Sequence, residues 1–155
     1  RLLGIGHATG DNGYGGEYDS GLKLALFDIS DPSEPEVLDS KEFKDMSSIA
    51  QYDHHALMVN SSEGYFAIPY EVWDYSDVAE SDVFVEEEAE DDTLADYEPE
   101  YDYDTGVLLF RAGDKINSVD RHRLEGSPIL RSVYIGDWVY ALDADGNVQS
   151  FMPYK

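Results

Sequence analysis

Three short turns that contain Asp and end in Gly constrain the fold of this chain more than any other feature. In chain order they read YDSG, YDTG and DADG, and each leads into a strand-like run. Gly106 and Gly146 lie 40 residues apart, close to the length of one repeating unit of four strands. Gly21 and Gly106 lie 85 residues apart, and one unit length again remains after an insertion of roughly 40 residues is subtracted. The spacing therefore predicts a repeat.

The runs around these turns predict an all-β protein. Short β-branched and aromatic segments are bounded by Gly, Asp and Pro, and helix-like periodicity is nearly absent. We predict strands near residues 2–8, 22–29, 36–43, 55–60, 65–72, 106–111, 117–124, 129–136, 138–143 and 147–153. Grouped by the repeat, they form antiparallel β-propeller blades, about one full blade and two partial ones. An ordinary β-sandwich is the alternative.

Two closely spaced prolines fit this arrangement. Pro32 and Pro35 stand between LKLALFDI and EVLDSKEF, where the third strand of a blade would turn into the fourth. Proline fixes φ and lacks an N–H, so it ends a strand ladder and stiffens the corner. We expect both prolines in that connection.

The charge of the chain restricts its partners. It carries 34 acidic and 10 basic residues, a formal net charge of −24. Such a field repels nucleic acid and anionic lipid, and it suits cations or basic protein surfaces. No apolar run approaches the roughly 20 residues of a membrane-spanning helix. Cysteine is absent, which excludes disulfides and thiolate metal sites.

The acidic residues are concentrated in one block. Residues 71–104 hold 16 of the 34 acids and no Lys or Arg. We interpret residues 1–155 as one partial propeller domain with an acidic surface insertion at about 73–104. Within it, Val83, Phe84 and Val85 could form a short strand. Its aromatic residues suit either stacking on sugar rings or, as we favour, anchoring of the loop: Trp73, Tyr75, Tyr97, Tyr101 and Tyr103.

Several segments resemble a known family. LKLALFDISDPSEPEVLDSKEF resembles the LVIVD-type repeat, and SPILRSVYIGDWVYAL looks like the opening of a blade. Together with LLGIGHATG and YDHHALMV, they make the chain similar to secreted bacterial and archaeal β-propeller domains distantly related to WD-type propellers. The resemblance implies a blade architecture and an extracellular or cell-envelope location. It implies no reaction.

Blade geometry predicts that the unusual segments share one face. Two oxygen-rich loops there are candidate Ca²⁺ sites, because hard cations prefer several oxygen ligands. The candidate ligands are Asp11, Asn12, Glu17 and Asp19 in one loop and Asp143, Asp145 and Asn147 in the other. Neither loop has EF-hand spacing, and Asp-Gly also makes ordinary hairpin turns. If the chain binds a cofactor, the sequence points to Ca²⁺.

A weaker, transition-metal candidate comprises His7, Asp53, His54 and His55. Imidazole and carboxylate are suitable ligands for such ions. Successive residues on a strand point to opposite faces, however, so His54 and His55 could not share one ion without a bend. On the predicted strand 55–60, a structural role for the pair is favoured.

The sequence favours a noncatalytic, extracytoplasmic binding or scaffold module. No G-x-S-x-G, P-loop or H-E-x-x-H motif is present. The alternative is a secreted hydrolase that acts on polysaccharide or peptide through the acidic loop face. An acidic surface adapted to high salt would need no specific ligand. Incomplete blades would leave apolar flanks open, and we expect self-association to cover them.

Overall fold

The computed structural model describes residues 1–11, 13–74 and 102–153. Eleven strands and two short 3₁₀ helices account for the regular structure of these residues. The strands are β1 (Leu2–Asp11), β2 (Glu17–Asp28), β3 (Glu36–Lys44), β4 (Met46–Ser47), β5 (Met58–Asn60), β6 (Tyr65–Asp74), β7 (Asp102–Ala112), β8 (Ile116–Leu124), β9 (Ile129–Ile135), β10 (Trp138–Asp143) and β11 (Val148–Phe151). The 3₁₀ helices are Ile49–Gln51 and His54–Ala56. No described helix is long and apolar enough to cross a membrane.

The strands form three antiparallel sheets that follow one another along the chain. The first blade has the order β1-β2-β3, and the third has β11-β10-β9. The second blade has four strand positions. β4 and β5 share the first position, since both pair with the same edge of β6, and β7 and β8 follow β6 across the sheet. The prediction of one full and two partial blades is confirmed.

The second blade is the centre of the packing. Four successive residues of β7, Val107 to Phe110, are buried, whereas β2 alternates between buried leucines and more exposed residues. A strand with both faces covered has a continuous apolar run, and a strand with one covered face alternates. The second blade is therefore covered on both faces.

Each face of the second blade meets a different neighbour. Against the first blade, Phe66, Ile68 and Phe110 pack on Leu22 and Leu24. Against the third blade, a separate cluster contains Met58, Tyr65, Ala67, Val107, Leu109, Leu124, Ile129, Val139, Ala141 and Phe151. Two clusters on opposite faces of one sheet are the packing of blades stacked in series.

Two glycines that end the repeated YDSG and YDTG segments mark the same position in two blades. A Cβ on Gly21 would lie 2.1 Å from the carbonyl oxygen of Phe43, and one on Gly106 would lie 2.0 Å from that of His122. Gly21 also has a φ of 143°. The predicted turns at YDSG and YDTG are wrong, because these segments lie within β2 and β7. Each segment needs glycine because a neighbouring strand passes too close for a side chain.

Several predicted strand bounds differ from the structure. β1 continues to Asp11 and β2 begins at Glu17, so the first loop is shorter than predicted. The predicted strand 55–60 is wrong at its start: residues 54–56 form a 3₁₀ turn, and β5 covers Met58–Asn60. The strands on either side of the acidic segment are longer than predicted, since β6 reaches Asp74 and β7 begins at Asp102. The proposed strand at residues 83–85 lies outside the described residues. Pro32 and Pro35 lie between β2 and β3, as predicted.

The strand ends that flank the unusual segments lie at one end of the sheets. Here β1, β6 and β10 end and β2, β7 and β11 begin, because each of these pairs is antiparallel. The connections from β3 to β5 and from β8 to β9 meet this end as well. We call this end the loop face, and the prediction of a shared face agrees with these pairings.

Candidate functional site on the loop face

An open cleft of about 250 Å³ lies on the loop face between the first and second blades. Its lining includes Asp19, Ser20, Asp45, Met46, Ser47 and Trp73. The Trp73 ring packs on Tyr103, with centroids 4.6 Å apart, and remains 43% exposed. Two carboxylates and an indole therefore face the same space, which suits a cationic group.

The carboxylate of Asp19 links the cleft to His7. Asp19 Oδ1 accepts a hydrogen bond of 3.0 Å from the Gly21 N–H, and Oδ2 contacts His7 Nδ1. The Gly21 hydrogen bond, followed by the His7 contact, lowers the pKa of Asp19. Partial desolvation opposes this lowering but does not outweigh it, so Asp19 stays ionised and keeps its charge on the cleft wall.

His7 also meets the connection between β4 and β5, through the same ring nitrogen that contacts Asp19. Gln51 Nε2 lies 3.1 Å from the Gly6 carbonyl oxygen and 3.2 Å from His7 Nδ1. The Tyr52 ring meets the imidazole edge-on, with centroids 5.3 Å apart. His7 is thus held by neighbours from both blades, and the loop face is continuous across them.

The two predicted metal-binding histidines occupy the second 3₁₀ turn. Asp53 caps this turn: its Oδ1 accepts from the His55 N–H at 2.9 Å and lies 2.9 Å from His55 Nδ1. Its Oδ2 accepts from Arg131 Nη2 at 2.8 Å. These hydrogen bonds lower the pKa of Asp53 to about 2, and the one from the His55 backbone N–H contributes most.

The 3₁₀ turn changes the relative positions of His54 and His55 from those expected on a strand. Asp53, His54 and His55 each offer a ligand atom within 4.8 Å of the others. The two imidazole centroids are 3.9 Å apart. The strand-based objection to His54 and His55 sharing an ion therefore does not apply. His7 is not part of this cluster and is paired instead with Asp19.

The two predicted Ca²⁺ loops have different geometries. The carboxylate of Asp143 is buried within its own turn, where Oδ1 accepts from the N–H groups of Asp145 and Asn147 at 3.0 and 2.8 Å. Asn147 Nδ2 donates to Oδ2 at 3.0 Å, and this bond is the main cause of the lowered pKa of Asp143. Asp145 accepts from the Ser127 hydroxyl. In this geometry the Asp143 carboxylate organises the hairpin turn.

The first candidate Ca²⁺ loop is a hairpin tip. Asp11 and Glu17 are direct partners in the β1–β2 pairing, and Asp19 pairs with Thr9 further from the tip. Asp11 Oδ1 accepts from the Gly13 N–H at 2.8 Å. Asn12 lies outside the described residues. The hairpin thus places Asp11 and Glu17 side by side, whereas Asp19 faces His7 and the cleft.

A charged cluster that sequence reasoning missed joins β6, β7 and β8. Asp104 is mostly buried and accepts from the Tyr70 hydroxyl at 3.1 Å and from Arg121. The Arg121 guanidinium lies over the Tyr70 ring, 4.7 Å from its centroid. Arg123 Nε lies 3.3 Å from Asp104 Oδ1. The repeated YDSG and YDTG segments were the available signal, since Asp19 and Asp104 occupy the same place in each.

Three stacked antiparallel sheets with a shared loop face define a protein of the β-propeller class. The sequence matches the family model described as Beta propeller domain over residues 1–153, and the chain belongs to that family. It is therefore a β-propeller module of the general binding or scaffold type. No curated protein and no solved structure matches the chain.

Proposed function

We propose that this domain is a noncatalytic module that binds basic protein segments at the loop face. The observation that carries the proposal is the cleft in which Asp19 and Asp45 face the Trp73 indole. A lysine or arginine side chain there would meet two negative charges and an aromatic surface at once. Both interactions favour a cation.

The surroundings of the cleft support a cationic ligand. The net charge of −24 attracts basic partners to the whole surface and raises their association rate. Asp45 lies 3.6 Å from Lys44, but both side chains are exposed, so this pair is weak and can give way to a ligand. The cleft provides the specific contacts that a general acidic surface lacks.

The test is binding of a fluorescent lysine-containing peptide, followed by anisotropy at physiological ionic strength. Asp45→Asn removes one cleft charge, and Asn tolerates the φ of 57° found at this position. We expect a two- to fivefold weaker affinity, about the value of one exposed ion pair. A peptide with acetylated lysines should bind more weakly still.

Asp137→Asn is the matched control, because Asp137 is exposed in the turn between β9 and β10 at the opposite end of the sheets. It changes the net charge equally and should leave the affinity unchanged. Equal weakening by the two variants would show that only the general field acts, and the cleft proposal would be wrong.

Export from the cytoplasm is part of the same proposal. The support is the resemblance of the repeat segments to secreted propeller domains. Ca²⁺ or other cations would stabilise the domain by reducing repulsion among its acidic loops. Fractionation of cells that express the full-length protein tests export. Recovery in the cytoplasm alone would contradict it.

A scaffold role rests on a second observation, the two outer blade faces. On the third blade, Val133, Ile135 and Trp138 are 55%, 65% and 42% exposed. On the first blade, Leu2 and Val37 are 54% and 64% exposed. These faces point in opposite directions along the blade series, so the outer face of one copy can stack on the opposite face of another. We propose head-to-tail self-association of two or more copies.

Light scattering tests this association. We expect masses above that of one chain, and a return toward a monomer when Val133→Lys places a charge on the apolar face of the third blade. Ser61→Lys is the comparison, because it adds the same charge in the exposed turn between β5 and β6, away from both outer faces, and should leave the association unchanged. A monomer at all concentrations would contradict the scaffold proposal.

The hydrolase alternative requires a pair of carboxyl groups with perturbed pKa values in one pocket. Among the described residues, burial raises the pKa of Glu71. The carboxyl groups of Asp19 and Asp53 have lowered pKa values instead. This distribution favours the binding module over the enzyme.

A further inference from the structure

We propose that Asp53, His54 and His55 form a binding site for a divalent transition-metal ion of the zinc class. The site is separate from the cleft, because none of its three residues lines the cleft. The proposal does not depend on peptide binding. The argument starts from the break in the inner strand of the second blade.

The break brings together side chains that a strand would separate. β4 and β5 pair with the same edge of β6, at Val72 and at Ala67, and the residues between them leave the sheet. The departing segment forms two capped 3₁₀ turns, the second of which begins at Asp53. In this turn the two imidazole rings lie on the same side as the capping carboxylate.

The distances suit a single ion after small side-chain movements. The three ligand atoms lie within 4.8 Å of one another, and Asp53 Oδ1 is already 2.9 Å from His55 Nδ1. Zinc bonds of about 2.0–2.2 Å place neighbouring ligand atoms roughly 3–3.5 Å apart. Both imidazoles are exposed, so rotation about their side-chain bonds can close the remaining distance.

Arg131 occupies only part of the carboxylate. Its guanidinium donates to Oδ2, which leaves Oδ1 on the side of the histidines. Ligating carboxylates are commonly hydrogen-bonded on their other oxygen, and this second contact fixes their orientation. Arg131 is therefore a positioning residue for Asp53, and it connects the site to the third blade.

The ligand chemistry selects the ion. Two imidazoles and one carboxylate suit Zn²⁺, Ni²⁺ or Cu²⁺, whereas Ca²⁺ requires six to eight oxygen ligands. Three protein ligands leave at least one position for water or for a group from a partner. The net negative charge of the chain further favours a cation at this exposed position.

The experiment titrates Zn²⁺ into the whole chain by isothermal calorimetry. We expect one ion per chain, with binding weakened at least about 100-fold in the His54→Ala/His55→Ala double variant. Asp53→Asn keeps a good capping residue but removes the ligand charge, and it should weaken binding about tenfold. His122→Gln is the control, because His122 stacks on Phe151 away from the cluster and should leave Zn²⁺ binding unchanged.

Three outcomes of these binding experiments would contradict a zinc site at this turn. Equal Zn²⁺ affinity in the double variant would place the ion on the general acidic surface and overturn the proposal. Displacement of Zn²⁺ by an equal concentration of Ca²⁺ would indicate an oxygen site and overturn it as well. No Zn²⁺ binding by the unaltered chain would also overturn it. Circular dichroism of the variants checks that each is folded.

Discussion

Replacement of Gly106 by alanine tests the packing of the second blade at its most crowded point. An added Cβ would lie 2.0 Å from the His122 carbonyl oxygen and 3.0 Å from the Tyr70 ring. Separations under 3.0 Å are essentially never seen, so β7 and β8 would have to separate by about 1 Å. The carbonyl belongs to the backbone and cannot rotate away, and both faces of this sheet are covered.

We therefore expect Gly106→Ala to lower the free energy of unfolding by about 3 kcal/mol, the upper end of the usual range for overpacking. Urea denaturation followed by circular dichroism measures it. Gly6→Ala is the control, because Gly6 also lies within a strand and its Cβ would meet nothing within 4 Å. Equal midpoints for the two variants would show that β8 does not pass this close to Gly106, and the strand register would be wrong.

Three further predictions concern charges. Asp104→Asn should lower the free energy of unfolding, measured in urea, by about 1–2 kcal/mol, because it weakens the contacts of Asp104 with Tyr70 and Arg121. The control is Asp114→Asn, which should have little effect in the same assay because Asp114 and Arg1 form an exposed pair. Since the folded-state pKa of Asp143 is lowered, its stabilising contribution is present above its ordinary value of 3.8 and is lost as the pH falls through the lowered value. Thermal melts below pH 5 should show a smaller pH dependence in Asp143→Asn. Ca²⁺ should raise the melting temperature relative to chelator at fixed ionic strength, and identical midpoints would contradict a specific role for Ca²⁺.

Much of the blade pattern could be predicted from the sequence because it depends on local rules. The continuous apolar run at Val107 to Phe110 and the alternation of Leu22, Leu24 and Leu26 differ as doubly and singly covered strands should. Glycines in the repeated YDSG and YDTG segments and prolines between β2 and β3 mark positions where the backbone alone restricts the residue. Such signals need no knowledge of distant contacts.

The candidate site depended on contacts that the sequence does not show. The cleft joins Asp19, Asp45 and Trp73, which are far apart in the chain and meet only when two blades pack. The 3₁₀ turn at residues 54–56 replaced a predicted strand because the inner strand of the second blade is interrupted. A local signal existed nonetheless: Ser48 and Gln51 form a capping box, which indicates a helical turn just before the histidines.

Hydrogen exchange resolved to single amides tests the stacked-blade fold most directly. The account predicts slowest exchange in β7, where strands pair on both sides and neighbouring blades cover both faces. Exchange should be faster in β3 and β11, each of which is paired along one edge only among the described strands. If the amides of Val107 to Phe110 exchanged as fast as those of β3 and β11, the second blade would not be the centre of the molecule, and the stacked-blade account would be contradicted.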